Sequence, residues 1–396
     1  MERKVGTISR GIRCPIIREG DDLAKIVVDS VLEASQSEGF ELRDRDVVAV
    51  TESVVARSQG NYASIEAIGQ DVRQKLGEDT IGVIFPILSR NRFATCLKGI
   101  SLAAKRIVLM LSYPRDEVGN QLLTEDQLEE QNIDPYHMVM SLEKYRALFG
   151  ENKHPFTGID YVAYYSDVIR SAGSEVQIVF ANHAVEILKY CDKVINCDIH
   201  TRKRTKRILE KAGAKVCSLE DILTESVNGS GFNSRYGLLG SNKSSEDSVK
   251  LFPNDCQDLV LSIQKEILER TNKHVEVMVY GDGAFKDPVG QIWELADPVV
   301  SPAYTEGLNG TPNELKLKYL ADNDFKDLSG AALKEAISER IKEKDSHLVG
   351  KMETEGTTPR KLTDLIGSLC DLTSGSGDKG TPIVLIQGYF DNYTNE

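Results

Sequence analysis

The stretch TSGSGDKGTPIVLIQGYF, residues 373–390, joins two unlike halves. The first half is small and polar and reads as a loop. The second half, PIVLIQG, is a short apolar run bounded by turn residues, the pattern of a strand buried on both faces. Just before it, TTPRKLTDLIGSLCDL reads as a helix, with Thr358 placed to cap it and Pro359 in its first turn. On these residues alone the loop is either a frayed linker or a glycine loop built to hold something against a sheet. Glycines between a helix and such a strand also let backbone N–H groups approach phosphate oxygens.

Working outward, the chain has 396 residues, 40% of them apolar and 28% charged. Those are ordinary proportions for a folded chain, and the length suggests about two domains. A formal charge of -13 argues against a nucleic-acid binder that relies on a broad basic surface. No apolar run approaches the roughly 18 residues of a membrane-spanning helix. The segment MERKVGTISRG has no apolar core, so no secretory leader is expected. The cysteines are Cys14, Cys96, Cys191, Cys197, Cys217, Cys256 and Cys370, without a CxxC pair. Reduced thiols in a cytoplasmic protein are the expectation.

GDDLAKIVVDSVLEA opens with acids that favour a helix start, and Leu23, Ile26, Val27, Val31 and Ala34 share one helical face. VVAVT, TIGVIFPIL and RIVLMLSYP read as strands, with Pro86 restricting the second to an edge or its own end. From GIDYVAYYSDVI to AKVCSLEDIL, strand-like and helix-like segments alternate, the rhythm of a small parallel α/β layer. NGSGFNSRYGLLGSNKSSEDS reads as a loop, and CQDLVLSIQKEILERT as an amphipathic helix.

Three turns carry acids or glycines beside apolar runs: Asp116–Asn120, Gly281–Asp287 and Gly375–Gly380. A divalent metal on nucleotide phosphates asks for one or two carboxylates, so a shared phosphate–metal site is one reading. The plainer reading, favoured by the pattern alone, is three turns that only end strands. GSGDKG is not a P-loop, and no GxGxxG opens a helix after a strand. Cys191, Cys197 and His200 have no standard zinc spacing and read as buried thiols and a turn residue. HTRKRTKR, residues 200–207, reads as a solvated helix face rather than an anion site. His183 follows VFAN at a strand exit, where ligands bind in parallel sheets, although a structural histidine is the favoured reading. Trp293, the only tryptophan, reads as core or interface.

RCPIIREGDDLAKIV and LRDRDVVAVTESVVARSQGN resemble the N-terminal signature of the coenzyme F420-0:L-glutamate ligase family, with its DGDVVVVTQKVVSKAEG-like strand and turn. LTDLIGSLCDLTSGSGDKGTPIVLIQG is similar to that family's AAELVMGEGxEGIPVVLIRG, and VMVYGDGAFKDPVGQIW stands where the family has a strand and an Asp-Thr-Phe-Gly turn. The resemblance covers about residues 10–124 and 272–390. It implies a mixed α/β core in two parts, 1–124 and 272–396, with 125–271 as an inserted α/β segment or a heavily elaborated part of the same core.

The resemblance further implies a cytoplasmic homodimer that joins an amino acid amine to a small carboxylate, using GTP or ATP and Mg2+ or Mn2+. Asp116 and Asp282 would ligate metal, and Asn120 would contact nucleotide. Cys14, Pro15, Ile16 and Ile17 would line the nucleotide site through backbone. Gly375, Gly377, Asp378, Lys379 and Gly380 would cradle phosphate. Catalytic residues are not assigned. The family's turn serine and lysine fall on Glu52 and Arg57 here, its Asp-Thr pair on Asp282-Gly283, and its loop acids on Ser376 and Lys379. Its Asp-x-x-Asn is one residue longer, Asp116 to Asn120. Arg57 can still bind phosphate, with a different geometry, whereas Glu52 would repel it. The alternatives are a non-catalytic ligand-binding or regulatory relative, and a chain whose middle segment binds its own ligand.

Overall fold

The computed structural model describes residues 4–155, 157–281, 284–286, 293–295, 300–354, 361–374 and 377–394. In chain order its strands are β1 (Ile8–Ile12), β2 (Val47–Thr51), β3 (Tyr62–Ser64), β4 (Thr80–Ile84), β5 (Arg106–Leu111), β6 (Met140–Ser141), β7 (Glu175–Phe180), β8 (Lys193–Asn196) and β9 (Lys215–Ser218). They continue with β10 (Asn242–Ser245), β11 (Ser248–Lys250), β12 (Glu276–Gly281), β13 (Ala284–Lys286), β14 (Trp293–Leu295), β15 (Val300–Tyr304) and β16 (Ile383–Gln387). The chain is mixed α/β, as its sequence implies.

PIVLIQG is β16, and it lies inside a five-stranded sheet ordered β1-β16-β2-β12-β15. It runs antiparallel to both neighbours, with Ile12 opposite Ile383 and Ile383 opposite Val50. Its side chains alternate between two cores, as the pleat requires. Ile383 and Leu385 join Val48, Val50, Val277 and Val279 under the helices Leu23–Glu38 and Cys256–Thr271. Val384 and Ile386 join Ala49, Met278 and Tyr280 under the helix Leu362–Thr373. Each fully buried Val, Leu or Ile contributes about 2 kcal/mol relative to exposure, so this doubly covered sheet adds substantially to stability.

The helix starts follow local chemistry. Asp22 caps Leu23–Glu38 by accepting from the Lys25 N–H at 3.2 Å, and Gly39 ends that helix in the left-handed region. The helix before the glycine loop begins at Leu362, later than the Thr358 cap expected of it. Leu362 N–H instead donates to Gly310 carbonyl at 2.9 Å, so the first turn is anchored by another segment. Thr358 and Pro359 lie outside the described residues.

A second sheet of six strands is ordered β6-β7-β5-β4-β8-β9. All its pairings are parallel except that of the edge strand β6. The chain builds outward from β4 through β5 to β7, then returns to the other side of β4 for β8 and β9. Order therefore reverses between β4 and β8, where open parallel sheets leave a crevice at their carboxyl ends. The sheet takes β4 and β5 from before residue 125 and four strands from beyond it. Pro86 lies just past β4, so TIGVIFPIL forms a central strand that stops before its proline. Part of the segment read as a loop forms β10, which pairs with β11 and through it with β3. Its serine-rich composition conceals a hairpin whose one fully buried apolar residue is Val249. No helix among the described residues is long and apolar enough to cross a membrane.

Asp46, at the start of β2, is buried, and its Oδ2 accepts from Arg43 N–H at 2.8 Å and Gln387 Nε2 at 2.6 Å. Its Oδ1 has no partner among the described residues. Burial pushes this carboxyl above the usual range, against the pull of those two donors. The folded state then holds the proton to higher pH than the unfolded chain. The group contributes stability below about pH 4, the unfolded value, and loses it as pH rises through the folded value. Asp46→Asn cannot titrate. Urea melts at pH 4, 5.5 and 7 should show the variant gaining on the parent as pH rises, and a gap that stays constant would refute the assignment.

Candidate functional site

The five-stranded sheet brings distant residues to one end. Residues 13–17 leave β1 beside the start of β16, and Thr51 N–H donates to Pro382 carbonyl at 3.0 Å. Arg57, on the helix Glu52–Ser58, donates from Nε to Ile17 carbonyl at 2.6 Å. Ile17 is buried and Ile16 is 81% exposed. The Cys14 thiol is half-buried and pushed upward by that burial, which disfavours a thiolate role. Asp378 and Lys379 are exposed on a tight turn closed by Gly380 N–H on Gly377 carbonyl at 3.0 Å. Residues 14–17, Arg57 and the 377–380 turn thus lie toward the same end of the sheet. Asp282, Gly283, Gly375 and Ser376 lie outside the described residues.

Glu52 sits under the exit of β12, where a Cβ on Gly281 would meet Glu52 Cγ at 2.5 Å. Both oxygens of Glu52 reach Lys250 Nζ, at 3.0 and 3.2 Å, and both side chains are about one-tenth exposed. The acid expected to repel phosphate therefore carries its own counter-ion. Lys250 gave no signal in the sequence, because β11 lies in a serine-rich stretch 198 residues away.

Asp116 and Asn120 are on the other sheet, past β5. The buried Asp116 carboxylate accepts from Leu88 N–H at 2.7 Å, Val118 N–H at 3.1 Å, Asn120 N–H at 2.8 Å and Asn120 Nδ2 at 2.8 Å. Four N–H donors occupy the four lone-pair sites of an ionised carboxylate. Burial raises its pKa and the hydrogen bonds to it oppose that rise. Asp116 organises the 114–123 turn and pins it to the chain leaving β4. Among the described residues no group of three or more His, Cys, Asp or Glu side chains could hold a metal ion.

The carboxyl edge of the parallel sheet holds features the sequence reading missed. Glu117 accepts from the N–H groups of Ile199 and His200 at 2.6 and 2.9 Å and from His200 Nδ1 at 3.0 Å. Asp198 accepts from Thr201 N–H at 2.8 Å and Thr205 Oγ1 at 2.6 Å. Glu117 laces the exits of β5 and β8 together, and Asp198 ties the β8 exit to the helix that follows it. Phe85, the first residue after β4, has φ 54°, a left-handed backbone that a bulky side chain rarely adopts. Such strain costs on the order of 1–3 kcal/mol and gathers at functional sites.

Residues leaving β8 divide between two cavities. Asp198 and His200 line one of about 510 Å3, with His183 and Arg204. Cys197 and Ile199 line a larger cleft of about 750 Å3 whose far wall is Ser301–Tyr304 of β15. His183 is exposed at a strand exit rather than structural core. The helix Arg202–Lys211 is mostly a solvated face, although Arg202 and Arg204 reach the two cavities.

Residues 11–388 match the family profile described as F420-0:Gamma-glutamyl ligase. The chain belongs to the F420-0:gamma-glutamyl ligase family. Membership makes it a ligase-type enzyme acting on small molecules. The match runs through the middle segment as well as both ends. No curated protein matches the chain. Within this ligase-family fold the N- and C-terminal signatures meet because β1 and β16 pair.

Proposed function

We propose that this chain joins the amine of an amino acid to a small carboxylate acceptor, driven by GTP or ATP with Mg2+ or Mn2+. The acceptor carboxylate attacks the γ-phosphorus, forming an acyl phosphate and releasing the nucleoside diphosphate. The amine then attacks the acyl carbon, phosphate leaves, and a proton is lost from nitrogen. Residues 14–17, Arg57 and the 377–380 turn hold the nucleotide. The observation that carries this reading is their meeting at one sheet end, given the family match over 11–388.

Arg57 spends Nε on Ile17 and is otherwise exposed, so its guanidinium edge can take phosphate oxygens. Lys379 adds a second exposed cation. A divalent metal carried by the phosphates would neutralise their charge and needs only one or two carboxylates. Asp282 and Asp116 are the proposed ligands, and Asp116 would have to exchange one N–H donor to serve. Among the described residues Asn120 Nδ2 is its only side-chain donor, and the one that can swing away without moving backbone. A homodimer in the cytoplasm completes the proposal. A binding-only relative is the second reading, favoured by the Glu52–Lys250 pair standing where the family has a serine.

The test offers purified protein GTP or ATP, Mg2+ or Mn2+, L-glutamate and a panel of carboxylates, and measures phosphate release and amide product. Turnover that falls at least tenfold in Arg57→Ala supports the assignment. Nucleotide binding without turnover supports the second reading. Neither binding nor turnover refutes both.

A further inference from the structure

We infer that the 510 Å3 cavity at the carboxyl edge of the parallel sheet binds a small hydroxylated phosphate monoester, of the sugar-phosphate class. Its volume lies in the range of small-ligand pockets. Residues leaving four adjacent strands line it: Phe85 after β4, Ser112 after β5, His183 after β7 and Asp198 after β8. It therefore lies over the β4/β8 reversal, where open parallel sheets take their ligands. The strained backbone of Phe85, φ 54°, forms part of its wall.

Hydrogen bonds divide the lining into spent and unspent groups. Asp116 already has its four donors, and both polar atoms of the Asn182 amide are bound to the backbone of Tyr113 and Pro135. Glu117 and Asp198 each accept three hydrogen bonds among the described residues. An ionised carboxylate offers about four lone-pair sites, so each of these acids keeps one acceptor in reserve. His200 gives Nδ1 to Glu117, which leaves Nε2 as a further acceptor while the ring is neutral. Unspent donors come from His183 and Arg204, whose side chains have no hydrogen-bond or ion-pair partner among the described residues. A sugar phosphate matches that set. Its phosphate oxygens accept from the guanidinium and the imidazole N–H, and its hydroxyls donate to the carboxylates and Nε2.

The helix Arg202–Lys211 supplies the phosphate end with charge. Its first six residues hold five cations, Arg202, Lys203, Arg204, Lys206 and Arg207, and no acid. Cations at a helix N-terminus oppose the macrodipole, and a bound anion offsets that repulsion. Glu220 and Asp221 already neutralise Arg202 and Lys206, each at 2.6 Å. Arg204 lines the cavity without such a partner among the described residues.

This inference does not rest on the ligase reading, because its cavity belongs to the other sheet and Asp116 keeps all four donors. The full chain is titrated by calorimetry with ribose 5-phosphate, ribose and inorganic phosphate. Ribose 5-phosphate is expected to bind saturably, at least tenfold tighter than either of the others. Arg204→Ala should weaken it at least tenfold and His183→Ala at least threefold, both at exposed positions. Arg207→Ala, an exposed cation outside the cavity lining, should leave it unchanged. So should Arg57→Ala, beside the five-stranded sheet. Absence of saturable binding overturns the proposal. Equal binding of ribose or of phosphate, indifference to either cavity variant, or an equal loss in Arg207→Ala does the same. Loss in Arg57→Ala would put the ligand in the proposed nucleotide site and overturns it too. Nucleotide turnover measured on the same samples separates this outcome from the fate of the ligase reading.

Discussion

Asp116→Ala is expected to destabilise the fold by about 3 kcal/mol, from the loss of several charge-assisted hydrogen bonds and the burial of an orphaned N–H. The orphan is Leu88 N–H, 2.7 Å from Asp116 Oδ2 in a buried contact that ties the β4 exit to the β5 exit. Asn120 loses two bonds as well, from its N–H and its Nδ2. Asp116→Asn keeps one acceptor oxygen and should cost less than Asp116→Ala, although its amide NH2 then faces two N–H donors. Urea denaturation of the three proteins checks the order, and equal stability of parent and Ala variant would refute it. The result also governs how activity data are read. A dead Asp116→Ala enzyme is not by itself a sign of a lost metal ligand, because the turn and the β4 exit beside Phe85 would loosen first. A metal role needs Asp116→Asn to lose metal dependence while its melt stays near the parent's.

The sequence made the two sheets legible in different degrees. β16, β2 and β12 are short apolar runs with bounded ends, and the structure buries them on both faces. The parallel layer was readable from alternation, but its extent was not. Nothing in Thr80–Ile84 or Arg106–Leu111 says which sheet they join, because a strand's partners depend on long-range pairing rather than its own residues. The proposed nucleotide site is read from contiguous turns, at residues 14–17 and 377–380. It was illegible where it depends on contacts across the chain. Glu117 is an ordinary acid until the sheet brings the exits of β5 and β8, with β4 between them, within reach of each other. Arg235 and Ser301 come to line one cleft only in the folded chain. Asp116 shows the converse: the residue was found, yet burial gives it four donors that no spacing rule reveals.

Lys250→Ala is expected to cost about 3 kcal/mol, because truncating one partner of a buried ion pair leaves the other charge without its counter-ion. Lys250 Nζ stands 3.0 Å from Glu52, and the two side chains are 11% and 10% exposed. Replacing both with uncharged residues of similar shape is a milder change, since desolvation cost vanishes with the attraction it opposed. Glu52→Gln with Lys250→Met should therefore lie within about 1 kcal/mol of the parent, well below the summed costs of the Glu52→Gln and Lys250→Met single variants in a double-mutant cycle. Additive single costs would show that the pair is not coupled. The cycle carries a functional prediction that rests on the ligase reading. Glu52 begins the helix that bears Arg57, so an uncompensated carboxylate there faces the proposed phosphate site. Nucleotide affinity should fall at least tenfold in Lys250→Ala and return toward the parent's in the double variant. Recovery of stability without recovery of affinity would move the nucleotide away from this sheet end and leave the ion pair as a purely structural device.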